Sequence, residues 1–141
     1  MRSQPSSSRL QQIRGYPSAE VPLPGANFVI PTATPDAIYV VMTTFPSRDE
    51  AERVARILVD EHLAACIHLL PKGVSIYRWE GRLNVTEEIT LLIKTTARAY
   101  AALEQRLRAL HSYTLPEIVA LPVRDGLPDY LTWVAAAVSE G

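Results

Sequence analysis

Three features of the chain predict an α+β fold with an antiparallel sheet. The apolar residues change period in the order β-α-β-β-α-β, with one more helical stretch at the C-terminal end. Cap and turn residues stand where one period gives way to the next. The two middle strand runs are separated by a short turn, so they fold back on each other as a hairpin.

Each element has its own local reason. Ile38-Tyr39-Val40-Val41-Met42-Thr43 is a β-branched, near-continuous apolar run, as in a strand buried on both faces. Ser47 followed three residues later by Glu50 forms a capping box. The helix it opens carries Ala51, Val54, Ala55 and Leu58 on one stripe. Residues 64–70 predict a second strand. Pro71-Lys72-Gly73 then predicts a bulge or bend rather than an end, because Val74 to Trp79 resumes with period-two alternation. Gly81 turns the chain, and residues 85–95 return as a long strand. Thr96 caps a second helix whose stripe is Tyr100, Leu103, Leu107 and Leu110. Residues 117–123 form a last strand, which Pro122 confines to an edge or bulge. Pro128 suits the first position of a closing helix bearing Leu131, Val134 and Val138. The order is the ferredoxin-like βαββαβ plan with an additional C-terminal helix. Its hairpin arms, 64–79 and 83–95, exceed the usual strand of about 5–6 residues. Arms that outgrow their sheet expose edges, and a partner subunit is the simplest cover.

The folded domain is expected over residues 37–141. Residues 1–36 hold six of the eleven prolines, a serine cluster at Ser6, Ser7 and Ser8, and no apolar period, which predicts a disordered tail. Within it, Phe28-Val29-Ile30 is a candidate to dock on the domain. Residues 1–19 carry Arg2, Arg9 and Arg14 and no acids, which also suits an organellar transit peptide, a plain tail being the simpler reading. A net charge of −1 argues against nucleic acid or an anionic membrane as partner. No apolar run reaches the ~20 residues of a membrane span. The single cysteine, Cys66, excludes an intrachain disulfide and fits a reducing, cytoplasmic compartment.

The chain has no Gly-rich phosphate loop, HExxH, CxxC or nucleophile elbow, so an enzyme is not the expectation. Cys66 reads as a small buried hydrophobe or as a soft ligand for copper. His111 ends the second helix, where it serves equally as a cap or as a metal or ligand contact. Tyr77 and Trp79 share one face of a strand and predict a trimer interface, a core contact or a ligand cleft. Tyr113, Glu117 and Trp133 add to that set. Glu87, Glu88 and Lys94 lie on the facing strand. They pair across subunits, line such a cleft or form a solvated face.

Taken in order, Met42-Thr43-Thr44, Ala64-Ala65-Cys66, Tyr77-Arg78-Trp79-Glu80-Gly81, Ile93-Lys94-Thr95, His111-Ser112-Tyr113 with Pro116-Glu117, and Tyr130-Leu131-Thr132-Trp133 resemble the CutA family of divalent-cation tolerance proteins. The resemblance covers about residues 37–138. It implies a homotrimer similar in architecture to PII signalling proteins, and a role in divalent-cation homeostasis or PII-like signalling. Some copper-binding members carry a Cys at the end of the first strand and two adjacent histidines before a Pro-Tyr. Met42-Thr43, Leu110-His111 and Ser112 stand at those places here. From that ligand set the resemblance carries over only His111, while Cys66 matches the cysteine widespread in the family; these two are its implied metal residues for copper or another divalent cation. It leaves Tyr77, Trp79, Glu87, Lys94, Tyr113, Glu117 and Trp133 for a ligand cleft or the trimer interface. A small-ligand sensor and an enzyme at an inter-subunit cleft are the alternative readings.

Overall fold

The computed structural model describes residue 34 and residues 36–139. The expected tail, and the docking of Phe28-Val29-Ile30, lie outside the described residues except for Thr34 and Asp36. Along the chain run β1 (Ile38–Phe45), α1 (Arg48–Asp60), β2 (Cys66–Leu69), β3 (Gly73–Trp79), β4 (Arg82–Thr96), α2 (Ala97–Leu110), β5 (Ile118–Pro122) and α3 (Pro128–Ser139). The sheet is antiparallel in the order β2-β4-β1-β5, with β3 also paired to β4. This is the expected ferredoxin-like topology, with β5 and its Pro122 at an edge.

β4 holds the sheet together because it is long enough to serve three partners. Residues 89–96 pair with β1, and residues 82–88 continue past the end of β1 to pair with β3 alone. Residues 73–88 therefore form an arm that leaves the body of the sheet. The break before it is a bulge. Leu69 to Gly73 is four steps on one side, against three from Leu91 to Glu88 on the other. The tip is a two-residue turn, Glu80-Gly81, with φ of 53° and 75°. Both values are positive, as the twist-matched hairpin turn requires. Gly81 was legible as a turn residue; Glu80 in the left-handed region was not.

The caps follow the sequence in part. The Ser47 hydroxyl accepts the Glu50 N–H (3.3 Å) and Thr96 Oγ1 accepts the Ala99 N–H (3.2 Å). The reciprocal half of the capping box is diverted, since Glu50 Oε2 accepts from the Ser112 hydroxyl (2.8 Å). α1 ends with His62 at φ 60°, where the Leu63 N–H reaches the Leu58 carbonyl and the His62 N–H reaches that of Val59.

β1 alternates between two environments. Val41 and Phe45 join Ala51, Val54, Ala55 and Leu58 of α1, Leu103 and Leu107 of α2, and Ile89, Leu91 and Ile93 of β4 in one buried cluster. The alternate residues Val40, Met42, Leu92, Cys66 and His68 lie on the other sheet face, none of them fully buried. α3 packs against β1 and β4, with Val134 and Val138 buried outside the main cluster. It leaves much of that second face uncovered: Val119 and Leu121 are 46% and 52% exposed. The arm exposes another apolar strip, Val74, Ile76, Leu83 and Val85, each above 60%. Among the described residues, no helix is long and apolar enough to cross a membrane.

Candidate ligand cleft

Where the arm leaves the sheet, the chain encloses an open cleft of about 600 Å³. Tyr77 and Trp79 of β3 form one wall. Glu88 of β4 and Thr44 of β1 form the floor, and Tyr113, Pro116 and Glu117 of the α2–β5 loop form the rim, with Val119 of β5 beside them. Strand parity selects these groups. Ser75, Tyr77 and Trp79 pair with Thr86, Asn84 and Arg82, so the even-numbered positions of β4 share their face. Glu88 belongs to that set. The neighbouring Glu87 points the other way and forms an exposed ion pair with Lys72 (3.4 Å).

Glu88 is the centre of the polar contacts. Its Oε2 accepts from the Tyr113 hydroxyl at 2.8 Å and from the Thr44 hydroxyl at 3.4 Å. The Tyr77 hydroxyl shares a hydrogen bond with Thr86 Oγ1 at 3.0 Å. Burial, together with the donated bond to the Glu88 carboxylate, pushes the Tyr113 phenol well above the ordinary tyrosine range. Glu117 is raised first by desolvation and then by the nearby charge of Glu88. The indole N–H of Trp79 is buried with no hydrogen-bond partner among the described residues.

His111 stands behind this cleft rather than in it. The ring stacks on Phe45 with centroids 4.2 Å apart, and the residue is only 8% exposed. Its Nδ1 accepts the Tyr113 N–H (3.1 Å), so the proton is on Nε2, which donates to the Thr44 carbonyl (2.7 Å). Burial lowers the ring pKa and outweighs the opposing Thr44 bond and the charges of Glu50 and Glu88. Both nitrogens are thus engaged, and the neutral ring fixes the loop that presents Tyr113.

The other residues named from sequence divide between the cleft and places away from it. Tyr77, Trp79, Tyr113 and Glu117 line the cleft. Cys66 is opposite Lys94 on the uncovered sheet face, half-buried, whereas the His111 ring packs on the core-side Phe45. Lys94 Nζ lies 6.0 Å from the Tyr130 ring on the α3 side. Trp133, half exposed, rests 5.7 Å from Tyr130. Within one protomer, no group of three or more His, Cys, Asp or Glu among the described residues is placed to hold a metal ion. Cys66 and His111 do not supply one either, because they sit on opposite sides of the sheet. Among the lining residues that sequence reasoning did not single out are Thr44, Ser75 and Val119; for Thr44, its place at the end of a strand just before the turn to α1 was the available signal.

A split-βαβ sheet carrying a long arm, with an acidic and aromatic cleft at the arm's base, defines an α+β protein of ferredoxin-like topology with a ligand-sized recess. The chain belongs to the CutA1 divalent ion tolerance family, whose model, described as "CutA1 divalent ion tolerance protein", matches residues 39–137. It is 48% identical over 95 residues to the divalent-cation tolerance protein CutA of Thermus thermophilus, covering 67% of this chain and 92% of that one. It is 36% identical over 118 residues to protein CutA of Mus musculus, covering 84% of this chain and 64% of that protein. The crystal structure of CutA from Xylella fastidiosa superposes with a TM-score of 0.71 at 48% identity, covering 72% of this chain and 98% of that one.

Proposed function

We propose that this chain is a homotrimeric divalent-cation tolerance protein that works as a PII-like sensor or adaptor in the cytoplasm, without catalysis of its own. The carrying observation is the cleft: its described lining holds two carboxylates and three aromatic rings, and no Lys, Arg or His. Such a lining favours a positively charged ligand. Trimer formation is supported by the two uncovered apolar surfaces, the sheet face with Val119 and Leu121 and the arm strip with Val74, Ile76, Leu83 and Val85. Val119 also lines the cleft, so a second copy on the uncovered face would border the ligand. A site at a subunit boundary is a natural place for a sensor, because occupancy then acts on assembly and on any downstream surface. The lone Cys66 supports the reducing compartment.

Two measurements test this reading. Light scattering coupled to gel filtration should give about 47 kDa, three times the 15.6 kDa chain. A monomer at micromolar concentration would overturn the trimer. Thermal-shift titration with Cu(II), Zn(II) and small organic cations should raise the melting temperature for at least one cation, because a ligand of the native state adds stability. That gain should be lost in the Glu88→Gln/Glu117→Gln variant. Stabilisation by anions alone would refute the cation-selective cleft.

A further inference from the structure

We infer that the occupant of the cleft is a small organic cation bearing a guanidinium or primary ammonium group, rather than a bare metal ion. The inference rests on the reading of the cleft as a cation site and names the class of cation.

Size is the first argument. A bare divalent ion fills a small cage, whereas a recess of about 600 Å³ is within the usual range for a small molecule. Ligand supply is the second. A hard dication held without water takes six or more protein oxygens, and soft ions need several nitrogen or sulfur donors. The described lining offers two carboxylates, one of them already holding Tyr113, and His111 has both nitrogens engaged.

The walls are the third argument. The Trp79 indole is no metal ligand, and the Tyr77 and Tyr113 hydroxyls are already bonded to Thr86 and Glu88, but a planar guanidinium or an alkylammonium is attracted to such ring faces. Glu88 and Glu117 come from different elements and bring two negative charges to one recess. Desolvation first, and then the charge of Glu88, disfavour the ionised form of Glu117. A bound cation would relieve both. A guanidinium can bridge them with its fork of donors, while its alkyl stem lies along the rings.

The test uses the assembled full-length protein and two probes of matched shape, butylguanidinium and the uncharged butylurea. Trp133→Phe leaves Trp79 as the only tryptophan, so binding is read from its fluorescence and its indole N–H resonance. Butylguanidinium should perturb both saturably, and butylurea should bind at least tenfold more weakly. Glu117→Gln, in the loop before β5, should weaken butylguanidinium about tenfold. Glu88→Gln should do the same, and Glu87→Gln, on the opposite face of the arm, should leave binding unchanged. Equal binding of both probes, or binding insensitive to Glu88 and Glu117, overturns the inference. If divalent ions bind through those carboxylates while butylguanidinium does not, the cleft still stands as a cation site and only the organic ligand falls. If no cation of either kind binds, both readings fall together.

Discussion

Replacing His111 by phenylalanine isolates the role of a ring with both nitrogens occupied. His111→Phe keeps the stack on Phe45 but leaves the Thr44 carbonyl and the Tyr113 N–H without partners. An unsatisfied group costs about 1–3 kcal/mol when buried, less where water reaches it, so the two together should cost about 3 kcal/mol at pH 7.5. The pH dependence gives the sharper signature. In the folded chain the ring pKa lies below its unfolded value near 6.5, because burial penalises the imidazolium. Below pH 6.5 the unfolded state therefore binds more protons than the folded one, and stability falls with acidification until the folded pKa is reached. This contribution is complete above pH 6.5. It declines by at most about 1.4 kcal/mol per pH unit below it, the energy of one pKa unit. The variant lacks this dependence. The stability gap between wild type and His111→Phe should thus narrow from pH 7.5 to pH 5.8. Urea unfolding at fixed protomer concentration measures it, since assembly makes stability concentration-dependent. A gap that is constant, or that widens in acid, would refute a neutral, doubly bonded His111.

Three further outcomes are expected. Thr96→Ala removes the acceptor of the Ala99 N–H and should cost about 1 kcal/mol by denaturant melt. Gly81→Ala should also cost about 1 kcal/mol, because φ is +75° while nothing lies within 4 Å of an added Cβ; the penalty is backbone strain alone. In a spectrophotometric titration, the phenol lost in Tyr113→Phe should be one that ionises only above the ordinary tyrosine range, since burial and the Glu88 carboxylate both oppose its deprotonation.

The elements were legible because their causes are local. A period of two or of 3.6, a Ser or Thr before a helix, and a Pro-Lys-Gly interruption act within a few residues, and each was found where expected. So was the ferredoxin-like order, which follows once the elements and their short connections are known. Half of the cleft was legible as well: Tyr77 and Trp79 share a face by parity, and Tyr113 and Glu117 stand together on the loop after α2.

Contacts between distant segments were decided only in three dimensions. The choice of Glu88 over Glu87 needs the hairpin register, because adjacent strand residues point to opposite faces and a shift of one exchanges them. Lys94 and Trp133 lie away from the cleft because α3 crosses the other end of the sheet, a placement that no local pattern encodes. The capping box lost its second half when folding brought Ser112 to Glu50, 62 residues away in sequence. His111 was undecided between cap and ligand for the same reason. Its partner Thr44 is 67 residues distant, and folding brings that carbonyl to Nε2 while Tyr113 closes on Nδ1. Short-range chemistry wrote the strands, helices and caps into the sequence, whereas register and burial, which depend on the whole chain, chose which side chains face the cleft.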